Sequence, residues 1–366
     1  MGARVTRKPA DEQPVRRRTT LHDVAARAGV SAATVSRVLN GTYRVSAETQ
    51  SRVRRAAEEL DYVVNAQARS LVASSSGLVA VLVTDITAPF YNRIAKGLAE
   101  QVTAEGRVCI LSTPQSGDLD GELATITTLR QQSPEAIVLV GGVHESPDYR
   151  KRIDGLAHSL DAEGSRLVLC GRPSPTKDTP ATVVEYDGEA GAFAITSHLL
   201  SAGHERILFL GGGAGSTTTN PRVRGYRRAL EAYGTTPDPA LIAHGSSTRV
   251  FGYEEMTRIL ASGTPDFTAV FASDDLAASG VLAALRGHGL RVPDDISVVG
   301  FDDTPVALDT VPSLTTVHVP MEEIGRTAIQ LALHRHEADF RNAQHAVLGT
   351  HITVRDSVRP LVHKRT

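Results

Sequence analysis

Two carboxylates, a guanidinium and an aromatic ring fall where the strands of an open α/β fold would end. Asp85, Pro89 and Phe90 follow the apolar run Leu78 to Val83, Arg222 follows the stretch Gly211-Gly212-Gly213-Ala214-Gly215, and Asp302 ends the run that begins at Ser297. Ligands in such folds bind at the carboxyl ends of strands. There a carboxylate and a guanidinium can hold hydroxyls, or an anionic group, through paired hydrogen bonds. Phe90 can stack on a ring or simply cover the core. A second set of residues has different chemistry. The Arg37 guanidinium can donate two hydrogen bonds to guanine O6 and N7, or contact a phosphate. Ser31, Thr34, Ser36 and Asn40 carry short polar groups that fix register on phosphates without reading bases, or pack locally. Ala32 and Ala33 offer only methyl contact, for example to thymine. Tyr43 and Arg44 can reach a nucleic-acid backbone or lie in a solvated turn.

Catalytic and metal chemistry find no such footing. The glycine stretch lacks the Lys-Ser/Thr of a phosphate-binding loop and the third Gly of dinucleotide spacing, so close backbone approach to a bound ligand is the expected use. The 13 histidines form no H-E-x-x-H pattern, there is no C-x-x-C, and His334 and His336 sit two apart on a predicted helix, facing different ways. No G-x-S-x-G elbow is present. The expectation is a binding protein with no catalytic residues, metal or cofactor.

The elements that must carry these residues can be read from spacing and caps. Leu21, Val24, Ala25 and Ala28 recur at helical spacing after Thr20, whose hydroxyl can cap the helix. Gly29 turns the chain. Ser31 can cap a second helix with Val35, Val38 and Leu39 inward and Ser31, Ala32, Ala33, Ser36 and Arg37 outward. Two helices joined by a short Gly-containing turn form a helix-turn-helix, whose second helix enters the major groove. A third helix fits Ala47 to Leu60, with Ser46 as cap. Asn65, Ala68 and Leu71 then recur every third residue in a segment without a core of its own, before the Ser74-Ser75-Ser76-Gly77 joint.

Charge divides the chain in the same place. Residues 1–71 hold 13 Lys and Arg against 7 Asp and Glu, and the remainder 26 against 34, so a head of +6 precedes a body of −8. A polyanion partner is expected for the head alone. Residues 1–18 have almost nothing to bury and read as a disordered basic arm. Cys109 and Cys170 each lie in an apolar run that reads as a buried strand, as core thiols of a reducing cytosol do. No signal-peptide pattern and no membrane-length apolar run occurs, which predicts a soluble cytoplasmic protein without membrane association.

From Leu78 onward apolar strands alternate with amphipathic helices, which means parallel sheets covered by helices. The expected class is α/β: a three-helix helix-turn-helix head on a two-lobed core of doubly wound parallel sheets. Expected boundaries are 1–18 for the arm, 19–64 for the head, 65–76 for hinge and linker, and 77–366 for the core. Lobe 1 would take 77–186 and 316–338, and lobe 2 would take 187–315 and 339–366.

The run Thr20-Leu21-His22-Asp23-Val24-Ala25-Ala26-Arg27-Ala28-Gly29-Val30-Ser31 through Asn40 resembles the signature of the LacI/GalR family of bacterial repressors. The resemblance continues through Arg69-Ser70-Leu71, Gly203-His204-Glu205-Arg206-Ile207, Arg222-Val223-Arg224-Gly225-Tyr226, Ala272-Ser273-Asp274-Asp275 and Pro312-Ser313-Leu314-Thr315-Thr316. It implies a periplasmic-binding-protein-like core and a homodimer or dimer of dimers. It further implies a double-stranded operator and a small-molecule effector, a sugar or related metabolite, in the interlobe cleft. Contacts to DNA are implied for Thr20, Asn65, Ala68 and Arg69, and Leu71 would wedge between base pairs at the operator centre. Arg172, Asn220, Ser247 and Ser273 would join the effector site. The chain departs from the family pattern at several points. Val64 stands where many relatives have Pro, Cys170-Gly171-Arg172 replaces a common Ile-Asp-Arg, Ser273 stands for Asn, and Ser247 stands for a stacking aromatic. These departures put a standard hexose effector in question. A solute-binding protein of a transporter would share the body but not the basic head.

Overall fold

The computed structural model describes residues 19–40, 45–62, 76–114, 118–340 and 343–361. The chain divides into two compact units, 1–76 and 77–366. Of the site residues expected from sequence, Tyr43, Asn65, Ala68, Arg69 and Leu71 lie outside the described residues, as does the basic arm.

In the first unit, α1 (Leu21–Ala28), α2 (Ala32–Asn40) and α3 (Ala47–Glu59) follow their predicted caps. Thr20 and Asp23 form a reciprocal capping box on α1, with the Thr20 backbone N–H donating to Asp23 at 2.8 Å. Gly29, at φ 66°, ends the helix in the left-handed conformation that a Cβ would disfavour. The Thr34 N–H donates to Ser31 Oγ at 3.2 Å, and Ser46 caps α3. Val24, Val35 and Val53, one from each helix, are fully buried and tie the three together. Ala32 is half-buried against this core rather than wholly outward, because the first turn of α2 packs back on its neighbours.

The second unit holds two parallel sheets. Strands β1 (Leu78–Val83), β2 (Val108–Ser112), β3 (Ala136–Val140), β4 (Arg166–Cys170) and β5 (Ala181–Tyr186) belong to the first. Strands β6 (Ile207–Leu210), β7 (Ile242–Ala243), β8 (Ala269–Ala272) and β9 (Ser297–Val299) form the second, in the order β7-β6-β8-β9. Three short strands complete the unit: β10 (Thr316–His318), β11 (His345–Leu348) and β12 (His351–Thr353). The first sheet runs β11-β5-β4-β3-β1-β2, and β10 pairs antiparallel with β12. The fully buried β3, and β4 from Leu167 onward, are continuous apolar runs, as expected of strands covered by helices on both faces.

Two sequence expectations need correction. Residues 339–366 were expected in lobe 2, yet β11 pairs with β5 in the first sheet, and the chain recrosses only after it. Alternation of elements does not say which sheet a late strand joins. Cys109 was expected in a buried strand, but β2 is an edge strand paired only with β1. Val108 is 64% exposed there and Cys109 half-buried. An apolar run marks a surface to be covered, whether or not the covering group belongs to the same chain.

Candidate effector cleft and nucleic-acid interface

Between the lobes of the second unit lies a cavity of about 460 Å³. Lobe 1 contributes Asp85, Thr87, Pro89, Phe90 and Tyr91. The Asp85 carboxylate accepts from the Thr87 hydroxyl at 2.6 Å and the Thr87 N–H at 2.8 Å, and these bonds hold its pKa below the ordinary value. Pro89 opens the helix Pro89–Ala104, where the missing N–H costs nothing. Phe90 meets Tyr91 edge-on at 5.4 Å between centroids and Tyr186 at 6.0 Å, so one wall is aromatic.

Lobe 2 supplies the buried charges. Arg222, on the helix Thr219–Ala232, is 6% exposed. Its Nη2 donates to Asp302 Oδ1 and to the Tyr186 hydroxyl, each at 2.9 Å, and its Nη1 donates to the Ser273 carbonyl. The guanidinium carbon sits 4.0 Å from the Phe301 ring centroid. Burial pushes the Asp302 carboxyl up to about 6, with the Asp274 charge adding to the shift and Arg222 opposing it. Asp274 caps the helix Asp275–Gly287, accepting from the Ala277 N–H at 2.7 Å. Asp275 also borders the cavity, with its carboxyl accepting from Thr316 Oγ1 at 2.6 Å and from the Thr304 N–H at 2.7 Å. Burial raises its pKa well above the ordinary value, and the Asp302 charge adds to the shift.

Of the residues expected at the effector site, Asp85, Pro89, Phe90, Arg222, Ser247 and Asp302 line this cavity. Arg172 does not: it is 1% exposed, with Nε on the Gly141 carbonyl at 2.7 Å and Nη1 on Glu122 at 2.9 Å. Burial opposes its charge, but Glu122 and Tyr149 outweigh burial and keep it protonated. Ser273 lies one layer back and presents its carbonyl to Arg222. Asn220 accepts from the Gly215 N–H at 3.2 Å and so braces the glycine loop. That loop was expected to approach the ligand, but it meets the other lobe. Thr217 N–H donates to the Val143 carbonyl at 2.9 Å, Val143 N–H to Thr217 Oγ1 at 3.0 Å, and Glu145 N–H to the Gly215 carbonyl at 3.3 Å. Sequence reasoning missed Tyr91, Tyr186, Thr218, Arg249, Asp274 and Thr304. For Asp274 a signal existed: an acidic cap two residues beyond an apolar strand is a carboxylate at a strand end.

In the first unit, Ser31, Ala33 and Arg37 are exposed along α2, with Ala32, Thr34 and Ser36 half-exposed. Thr20 is engaged in its capping box, and Asn40 ends α2. Donors and methyls thus share the outer side of one helix, the arrangement a major groove accommodates. No group of three or more His, Cys, Asp or Glu among the described residues could hold a metal, and no described helix is long and apolar enough to cross a membrane.

Residues 20–65 match the family described as bacterial regulatory proteins, lacI family, and residues 196–358 match a periplasmic binding protein-like domain. The chain is 36% identical over 347 residues to the HTH-type transcriptional regulator CelR of Thermobifida fusca, covering 93% of this chain and 99% of that one. It is 33% identical over 345 residues to the HTH-type transcriptional regulator DegA of Bacillus subtilis (strain 168), covering 94% and 99%. Among solved structures, a transcriptional regulator CelR–cellobiose complex superposes with a TM-score of 0.67 at 34% identity, over 93% of this chain and 100% of that one. A lac repressor dimer bound to operator and the anti-inducer ONPF gives a TM-score of 0.80 at 25% identity, over 94% and 100%. The helix-turn-helix of the first unit and the two-lobed cleft of the second therefore have one explanation: the chain belongs to the LacI family of bacterial transcriptional regulators.

Proposed function

We propose that two copies of this chain bind a palindromic DNA operator in the cytoplasm and repress transcription, and that a sugar in the interlobe cleft changes operator affinity. The observation that carries the reading is the buried Arg222–Asp302 pair in a cavity of about 460 Å³, on a chain whose other unit is a helix-turn-helix. Cellobiose in the CelR complex and the operator-bound lac repressor dimer support it. A second copy is favoured by the exposed apolar side chains of β2, Val108, Ile110 and Leu111, and by Val250 and Tyr253. A dimer of dimers is the larger assembly to test for. No catalytic step is assigned: the cleft residues bind and orient.

The sugar acts by preferring one arrangement of the lobes, since a ligand with equal affinity for both states shifts nothing. Arg37 reads a guanine in each half-site, and Leu71, outside the described residues, supplies the central wedge. Selection from random DNA followed by fluorescence anisotropy, with and without cellobiose, tests the proposal. An inverted repeat is expected. Arg37→Ala should cost about 1–3 kcal/mol on the selected site and relax the choice of one base pair per half-site. An asymmetric motif, or an equal loss on random DNA, would contradict it.

A further inference from the structure

The charges of the cleft distinguish among sugars, given the reading above that a sugar binds there. Among the described residues, Arg222 is the one guanidinium buried in the cavity wall, and its terminal nitrogens are already committed to Ser273, Asp302 and Tyr186. Only its Nε has no partner. A single N–H cannot make the paired bonds by which arginine holds phosphate. Three buried carboxyls of the cavity lining stand against that one cation: Asp302, Asp274, and Asp275, which is bonded to Thr304 and Thr316. Asp302 is 5% exposed and Asp274 7% exposed, and Asp274 uses Oδ1 as a helix cap. Asp85 and Arg249, one of each sign, are exposed residues of the lining. A phosphate group would therefore meet an interior with an excess of negative charge, where weak screening makes repulsion strong. The same carboxylates accept hydrogen bonds and donate none, so the ligand must bring the donors.

We propose that the cleft selects uncharged, hydroxyl-rich sugars and rejects their phosphate esters, with Asp274 as a specificity-determining carboxylate. The cavity of about 460 Å³ exceeds the roughly 200 Å³ that a hexose fills at protein packing density, and so admits a disaccharide.

Isothermal titration of the full chain with matched pairs tests this: cellobiose and its 6'-phosphate, glucose and glucose 6-phosphate, ribose and ribose 5-phosphate. In any pair that binds, the neutral member should be tighter by about tenfold or more. Asp274→Asn should narrow that gap by raising the relative affinity of the ester. The Tm of the free protein should change little, because Asn caps a helix as well as Asp does. Asp274→Ser, which also caps, serves if the first variant does not fold. An ester that binds as tightly as its neutral partner overturns the charge rule and leaves the sugar reading standing. A gap unchanged in both variants overturns the role of Asp274. If no member of any pair binds to protein that still binds its selected operator, the sugar reading falls, and the charge rule with it.

Discussion

The two sides of the interlobe cleft are fastened by different chemistry. On one side the chain crosses between the sheets, after β5, through β10 and after β11, and β10 pairs with β12. There Asp303 accepts from Arg355 at 2.6 Å, from His318 Nδ1 at 2.9 Å and from Thr353 at 3.2 Å. Burial pushes the Asp303 carboxyl up, but the bonds from Arg355 and His318 outweigh burial and hold it below the ordinary value. On the other side, among the described residues, neutral hydrogen bonds between residues 143–145 and 215–217 join the lobes. Charge-assisted bonds are roughly twice as strong as neutral ones, which are worth about 1 kcal/mol net each. On this arithmetic the lobes should part most cheaply at the glycine loop and keep their alignment at the crossover strands.

The largest effect should come from breaking the charged side. Arg355→Met leaves Asp303 largely buried with His318 and Thr353 as its remaining hydrogen-bond partners. Removing one member of a buried pair costs roughly 3–5 kcal/mol. Side-chain exposures of 13% and 14% place this pair towards the lower end of that range. Urea unfolding of the full chain measures it, and a loss under about 1 kcal/mol would reduce the pair to the worth of a surface ion pair.

A pH titration separates the cleft from the crossover. Asp302 has its pKa raised to about 6, so effector affinity should weaken as pH falls through that value. At pH 5 the weakening should reach about tenfold if the ionised form is the binding form. For stability the sign is opposite. A raised pKa means the contribution of Asp302 is full below its unfolded value and is lost as pH rises towards about 6. Asp303, with a depressed pKa, contributes above the ordinary carboxylate value and loses that contribution only at lower pH. Ligand affinity that is flat from pH 7 to pH 5, alongside a changing unfolding free energy, would remove Asp302 from the binding step.

Local chemistry was legible in the sequence, and long-range placement was not. Thr20, Ser31, Ser46 and Gly29 mark helix ends through their own hydroxyls and backbone freedom, so all three head helices could be read within a residue or so. The apolar runs of β1, β3 and β4 announce buried parallel strands for the same local reason. Asp85, Arg222 and Asp302 were legible because strand ends line clefts. Ser273 and Asp274 differ by one position, yet one lies behind the wall and the other lines it, a distinction that spacing alone left open. Arg172 turns inward because Glu122, fifty residues away in sequence, pairs with it. The pairing of β11 with β5 is of the same long-range kind.

The smallest of these effects should come from the neutral side, where Gly215→Ala is the sharpest probe. Gly215 has φ +81°, and a Cβ built there would lie 2.5 Å from Cε1 of the His144 ring. The substitution therefore combines left-handed strain of about 1–2 kcal/mol with a clash that moving the ring can relieve. The bond from Glu145 N–H to the Gly215 carbonyl should weaken, and with it the contact between the lobes. The expected result is a stability loss of about 1–2 kcal/mol, set mainly by the strain. Hydrogen exchange should quicken at the amides of Val143, Glu145 and Thr217 while those of β10 and β12 keep their protection. Localised loosening of that kind would show that the lobes part at the glycine loop and turn about the crossover. Equal acceleration on both sides would mean that the body opens as one unit, and the contrast between its two fastenings would then have no part in how the regulator responds to ligand.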